Sequence, residues 1–526
     1  MCKFSKRALS CFIVLCLLFV VCGARVFVVA TDEELLEAAN NQSTKLKQIC
    51  SIRGTIYDKD GNPLTEALSS TVSVILPTEE GVIAVAQMLE GDQREQALKT
   101  LSSGTPVVVR ANYYGFCDSV LSVKAPKRYS SILTHIIGYC DASGHGVSGL
   151  EHYFDDILYS QNGIGISYTT DSNGRMIEGM EYEVVEDTPK GSVTLTIDSE
   201  LQKIAQYALG ETQSGTVVVM DAETSEIRAI ASSPTFDTED ISASLNAADS
   251  PFLNRAFCTY NVGSVFKPVI AAAAIEGGLG DYKYTCNGSI TVDGTTFRCN
   301  KSSGHGEVDM ETAVAYSCNT YFYTLALKLG AEKLLKTVGG LRFQTQLDLG
   351  GGLYTNKGVL PTNESLSSLN AALCNFSIGQ GDLMVTPVNL SLLYAAILNG
   401  GEYRMPKIVK SVEVNGVTTE TAQLPATRAF KSATADTLKS YLYTALKSGT
   451  GSSAYIEGVN AGGKTGTAQT GWKDGDRNIL NGWFCGFFEG NRTYVITVLR
   501  EDVQSGSSDC APIFKSIISQ MQNLNF

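Results

Sequence analysis

Apolar and polar positions along this chain follow three regimes. Residues 8–24 are almost continuously apolar, with Lys3, Lys6 and Arg7 ahead of them and a second apolar patch over residues 26–30 after Arg25. The pattern predicts a helix able to cross a membrane, and the positive residues before it predict a cytoplasmic amino end. A cleaved signal peptide fits the shorter run. Counted through Ala30, with Arg25 snorkelling, the segment reads as a retained anchor. Thr31 with Glu34 then predicts a capping box and a helix to about Cys50.

From there to about residue 190 the pattern is mixed. Arg53 to Leu64 reads as a strand ended by the Asp60-Gly61 turn, residues 80–101 as a helical hairpin with apolar spacing of three and four, and Val107-Val108-Val109 as a strand. This stretch offers no nucleophile, metal cluster or phosphate loop, and it reads as a scaffold.

The last regime alternates strongly. Val193 to Asp198 predicts a strand followed by an amphipathic helix to Leu209, and Gly215 to Asp221 with Ile227 to Ala231 predicts a hairpin that begins an antiparallel sheet. Residues 311–330 and 388–398 have helical patterns, Trp483 to Phe488 is an aromatic strand, and residues 509–524 close as a helix. A length of 526 residues supports two to four domains. The net charge of −13 argues against a nucleic-acid partner, which would meet a basic face.

Candidate chemistry lies in three stretches. Gly263-Ser264-Val265-Phe266-Lys267-Pro268 enters a helix-forming apolar run, which puts Ser264 and Lys267 on one helical face. A lysine sheltered by apolar neighbours loses basicity and can take a serine's proton, while a helix amino end favours the negative charge that develops. Ser317-Cys318-Asn319 and Lys464-Thr465-Gly466-Thr467 follow in order. One Ser-x-x-Lys pair means little, but the ordered set is specific.

With these motifs the chain resembles the class B penicillin-binding proteins of the penicillin-binding protein and serine β-lactamase superfamily. Arg53-Gly54-Thr55-Ile56-Tyr57-Asp58, Gly149-Leu150-Glu151-His152-Tyr153, Asn254-Arg255-Ala256 and Ser377-Ile378-Gly379-Gln380-Gly381 match further stretches of that class, although Val262 stands where the family commonly has proline. The resemblance implies an α+β fold: a transpeptidase domain with a central antiparallel sheet flanked by helices over 191–526, an elongated mainly-β pedestal over 31–190, and an N-terminal transmembrane anchor over 1–30. It implies a serine-type D-Ala-D-Ala transpeptidase that cross-links peptidoglycan stem peptides on the extracytoplasmic side of a bacterial membrane and binds β-lactams. A membrane glycosyltransferase is the expected partner, and no cofactor or metal is expected. Ser264 is the implied acyl carrier, Lys267 its base, Ser317 a proton relay and Asn319 a donor-binding amide. Lys464, Thr465 and Thr467 would meet the terminal carboxylate, Gly466 would let the substrate backbone approach, and the Ser264 and Thr467 N–H groups would form the oxyanion hole. A β-lactamase, a D,D-carboxypeptidase and a module that mainly activates a glycosyltransferase are the alternatives. The first lacks a recognisable Glu-x-x-Leu-Asn deacylation site here.

Of the 14 cysteines, Cys286 and Cys299 flank a predicted hairpin turning at Asp293-Gly294, with His305 shortly after. Free thiols, a disulfide and a zinc site completed by Cys258 compete. The expected outcome is a Cys286–Cys299 disulfide that staples the hairpin.

Overall fold

The computed structural model describes residues 2–35, 43–115, 117–210 and 213–526. The predicted apolar helix forms over Cys2–Thr31, and its Lys6–Thr31 portion is long and apolar enough to cross a membrane. The helix expected to run on to Cys50 does not. Thr31 ends the first helix, and Asp32 rather than Thr31 accepts from the Glu34 and Leu35 amides at 3.1 and 3.3 Å. Residues 36–42 lie outside the described residues, and Thr44–Cys50 is a strand with Ile49 buried.

The chain divides into two compact units. The first comprises Met1–Arg53, Ala67–Lys127 and Ser160–Pro189. It holds a sheet of Thr44–Cys50, Ile164–Thr169 and Tyr182–Glu186, most of a second sheet of Val107–Val109, Glu66–Ile75 and Val120–Tyr129, and the predicted helical pair Glu79–Met88 and Gly91–Ser102. Alternation divides the strand ending at Ile75 between two cores: Val72 and Val74 enter one with Ile166, and Ile75 enters the other with Ala84, Val85 and Leu101.

The second unit comprises Gly54–Glu66, Arg128–Tyr159 and Lys190–Phe526. Two stretches assigned from the sequence to the pedestal therefore pack with the motif-bearing region. The reason is apolar burial. Ile56–Tyr57 pairs parallel to Gly191–Leu195, and Leu133, Ile136, Leu150, Phe154 and Leu158 join the main core.

The second unit's largest sheet has five strands in the order Ile227–Ser233, Gly215–Asp221, Thr493–Arg500, Arg477–Glu489 and Ala461–Asp474, with every neighbouring pair antiparallel. Its central strands are apolar on both faces because both are covered. Val218 and Met220 enter one core while Val217 and Val219 enter the other, and Trp483 and Phe487 lie opposite Phe484 and Phe488. On one face packs the helix Pro387–Leu398, buried at every residue up to Ile397. On the other pack Ser199–Leu209 and Ala511–Asn523, whose Leu201, Ile204, Phe514 and Ile517 share a core with that face. Ala461–Asp474 is the edge strand and carries the Lys-Thr-Gly motif.

The cysteine hairpin forms as predicted, Ser289–Val292 against Thr295–Arg298, with the Cys299 N–H donating to the Gly288 carbonyl at 2.8 Å. The disulfide does not: Cys286 and Cys299 are both free thiols. Cys286 belongs to a different ladder, in which Tyr284–Cys286 pairs with Gly306–Val308, and both sulfurs turn inward toward His305.

Candidate active site

Ser264 lies on a 3-10 turn, Gly263–Phe266, that runs directly into the helix Lys267–Glu276. This helix is apolar all round, and Lys267 through Ala274 are buried, so it is a core element with its amino end aimed at the site. Pro268 occupies its first turn, where no N–H is needed. The position where the family commonly has proline is held without it. Val262 is fully buried, the Gly263 N–H donates to Gly379 O at 2.8 Å, the Tyr394 hydroxyl donates to Val265 O at 3.2 Å, and the Trp483 indole N–H donates to Asn261 O at 2.9 Å. The Asn261 side chain donates to Gly381 O and Leu383 O at 2.9 and 2.8 Å.

Gly263 has φ +61, and a Cβ there would stand 2.5 Å from Thr467 O. A Cβ on Gly466 would stand 2.9 Å from Val262 O and 3.2 Å from Val265 N. Gly466 therefore lets the Ser264 turn approach the edge strand closely.

Lys267 is completely buried. Its Nζ donates to Ser317 O at 2.8 Å, Ser317 Oγ at 2.9 Å and Asn319 Oδ1 at 2.7 Å, and it lies 5.4 Å from the centre of the Phe322 ring. Burial pushes its pKa down to about 7. Among the described residues Ser264 Oγ has no hydrogen-bond partner, and Lys267 bonds to the Ser-x-Asn loop instead.

That loop separates the helices Met310–Ala315 and Asn319–Leu329. Ser317 stands at φ 60, a left-handed conformation uncommon for serine. Neither Ser317 nor Asn319 acts as a helix cap; Cys318 holds that position without a side-chain cap bond.

Lys464 is also fully covered, and its Nζ donates to Thr450 Oγ1 at 3.0 Å and Thr465 O at 3.2 Å. Burial and then the charge of Lys267 drive its pKa well below the usual lysine range. It thus works from beneath the strand surface, whereas the Thr467 side chain is exposed and its hydroxyl accepts from the Gly506 N–H at 3.1 Å.

Sequence reasoning missed Thr450. Its N–H donates to Ala315 O at 3.0 Å and its hydroxyl accepts from both Lys464 and Thr465, so one residue ties the Ser-x-Asn segment to the edge strand. The one signal it carried was its place between Gly449 and Gly451. Also missed was Glu501, whose carboxylate accepts from Tyr260 Oη at 2.8 Å and Arg255 Nε at 3.1 Å.

Behind Ser317, Cys286, Cys299, His305 and Cys318 bring their ligand atoms within 4.8 Å of one another. The fourth member is Cys318, not the Cys258 considered from sequence.

The chain is similar to known proteins over most of its length. The family model of the penicillin binding protein transpeptidase domain matches residues 215–519. Stage V sporulation protein D of Bacillus subtilis is 31% identical over 417 residues, covering 74% of this chain and 62% of that protein. The chain thus spans less than two thirds of that relative. Peptidoglycan D,D-transpeptidase MrdA of Escherichia coli is 26% identical over 490 residues, covering 78% of this chain and 75% of that protein. A crystal structure of penicillin binding protein 3 from Mycobacterium tuberculosis, complexed with aztreonam, superposes with a TM-score of 0.67 at 23% identity, covering 91% of this chain and 97% of the other. The chain belongs to the penicillin-binding protein transpeptidase family, within its class B branch.

Proposed function

We propose that this protein is a peptidoglycan D,D-transpeptidase that works through an acyl-enzyme on Ser264. One observation carries the reading: a completely buried Lys267, lowered to about 7, one helical turn after a serine on a braced turn. Ser264 attacks the carbonyl of the penultimate D-alanine, and Lys267 takes its proton. Ser317, already bonded to Lys267, relays that proton to the departing D-alanine. The Asn319 side-chain oxygen is engaged by Lys267 and one of its N–H groups donates to Arg298 O at 3.4 Å, which leaves the second N–H to donate to a donor-peptide carbonyl.

The stem peptide lies along the edge strand Ala461–Asp474, where an added strand finds main-chain partners. Thr465 and Thr467 receive its terminal carboxylate, with Lys464 supplying positive potential from below. The backbone N–H groups of Ser264 and Thr467 stabilise the tetrahedral oxyanion. β-Lactams acylate the same serine. The apolar helix anchors the chain with its catalytic unit outside the cytoplasmic membrane, where a membrane glycosyltransferase supplies the strands to be joined.

The test offers the full-length protein a stem peptide ending in D-alanyl-D-alanine, with and without an amine acceptor. A transpeptidase releases D-alanine and forms the amide with the acceptor, and Ser264→Ala does neither. Release of D-alanine to the same extent with water alone would make it a carboxypeptidase instead.

A further inference from the structure

The cysteines of the second unit are scattered through its sequence, yet three of them converge with one of the protein's four histidines directly behind the Ser-x-Asn loop. Cys286, Cys299 and Cys318 are buried and His305 is half-buried. The separations are informative. His305 Nδ1 lies 3.6 Å from Cys286 Sγ and 3.5 Å from Cys299 Sγ, and Cys299 Sγ lies 3.9 Å from Cys318 Sγ. A tetrahedral zinc with Zn–S of ~2.3 Å and Zn–N of ~2.05 Å requires sulfur–nitrogen edges of ~3.6 Å and sulfur–sulfur edges of ~3.8 Å. The three edges match those of a zinc tetrahedron, and a disulfide would need sulfurs at ~2.0 Å.

The surroundings suit thiolates. The backbone N–H groups of Lys301, Asn319 and Thr320 address the Cys299 sulfur, and the Thr320 hydroxyl donates to Cys286 Sγ at 3.0 Å. Donors of this kind orient thiolate ligands and stabilise them once a metal is bound. Four ligands of composition Cys₃His leave no position open for water or substrate, which marks a structural rather than a catalytic site. Soft sulfur with one imidazole in tetrahedral array selects zinc over the hard divalent ions.

We propose that Cys286, Cys299, His305 and Cys318 bind one Zn²⁺, and that the metal fixes the loop carrying Ser317 and Asn319 in its acylation-competent form. Binding forms three Zn–S bonds and one Zn–N bond and releases the thiol protons to water, with no change of oxidation state. The connection to chemistry is covalent and short. Cys318 is flanked by the two residues that Lys267 grips, and Ser317 holds a left-handed backbone conformation that needs an external anchor. The metal ties this loop to the strand ending at Cys286, to the end of the hairpin at Cys299 and to the His305 loop. The second half of the proposal rests on the transpeptidase reading; the first half does not.

The test uses full-length protein in detergent, purified under reducing conditions. Metal analysis should find about one zinc per chain, retained in Cys258→Ser, whose thiol lies outside the cluster. Cys299→Ser and His305→Ala should bind zinc at least ~10-fold more weakly. Cobalt substitution should give the intense visible bands of a tetrahedral thiolate site in wild type and weakened bands in His305→Ala. Chelation of wild type should slow acylation by a fluorescent penicillin about ten- to a hundredfold, the range expected when a catalytic group moves by up to 1 Å, and added zinc should restore it. Absence of stoichiometric metal after loading, or two extra thiols appearing on reduction, would overturn the site. Full zinc removal with an unchanged acylation rate would overturn the coupling. Failure of penicillin to acylate the zinc-loaded protein would count against the transpeptidase reading and leave the metal content to decide the site.

Discussion

Lys267 holds Ser317 twice, through the carbonyl oxygen at 2.8 Å and the hydroxyl at 2.9 Å. The buried ammonium therefore serves two ends: it stabilises a left-handed serine and stands ready to exchange a proton with the hydroxyl beside it. Burial is what makes this exchange possible near neutrality, since it holds the Lys267 pKa at about 7.

The acylation rate by penicillin should accordingly rise with pH through about 7 and level off above it. The sign follows from the base: the neutral amine accepts the Ser264 proton, and protonation below the pKa removes it. Lys267→Met should lower the rate ~10²–10⁴-fold and abolish this limb of the profile. Stopped-flow acylation across the pH range reads both, and a flat wild-type profile would contradict the assignment.

Thr450→Val should impair the site although the residue belongs to none of the three motifs. The valine removes the hydroxyl that accepts from Lys464 Nζ and Thr465 Oγ1. Leaving a buried donor unmatched costs ~1–3 kcal/mol, so acylation should fall about tenfold and the denaturation midpoint should drop, with Thr450→Ser close to wild type. Wild-type acylation and stability in Thr450→Val would remove Thr450 from the site.

Gly263→Ala tests the close approach of the nucleophile turn to the edge strand. Its φ of +61 alone costs an alanine ~1–2 kcal/mol. Gly458 has φ +79, and a Cβ added there would meet nothing within 4 Å, so Gly458→Ala measures the conformational cost without a clash. Gly263→Ala should lose acylation by a further ~10²-fold through the contact with Thr467 O. Equal acylation in the two variants would contradict the packing of the turn on the strand.

Much of this architecture is legible in the residues. The valines at 217–219, the helical spacing at 388–398 and the aromatic run at 483–488 each carry a period that physical chemistry reads directly, and all three are elements of the catalytic unit. Motif order alone names Ser264, Lys267, Ser317, Asn319 and Lys464, and the structure brings Lys267 onto Ser317 and Asn319. What the residues conceal has a common cause, which is distance along the chain. Ile56 and Leu150 carry no sign that they pack with residues far beyond them, so pattern alone does not reveal that they join the second unit's core. Thr450 matters only because folding sets it between Ala315 and Lys464. Cys318 reads as part of a catalytic motif rather than as a companion of Cys286 and Cys299, because nothing local says that its sulfur lies against that of Cys299.

In the proposed function Ser264 is an acylated nucleophile whose adduct is not readily hydrolysed. Intact mass spectrometry of the full-length protein after exposure to a penicillin tests it most directly. The expected result is one adduct of the drug's full mass, persisting for many minutes, mapped to Ser264 and absent from folded Ser264→Ala. An adduct that survives Ser264→Ala, or no adduct on the folded wild type, would contradict it.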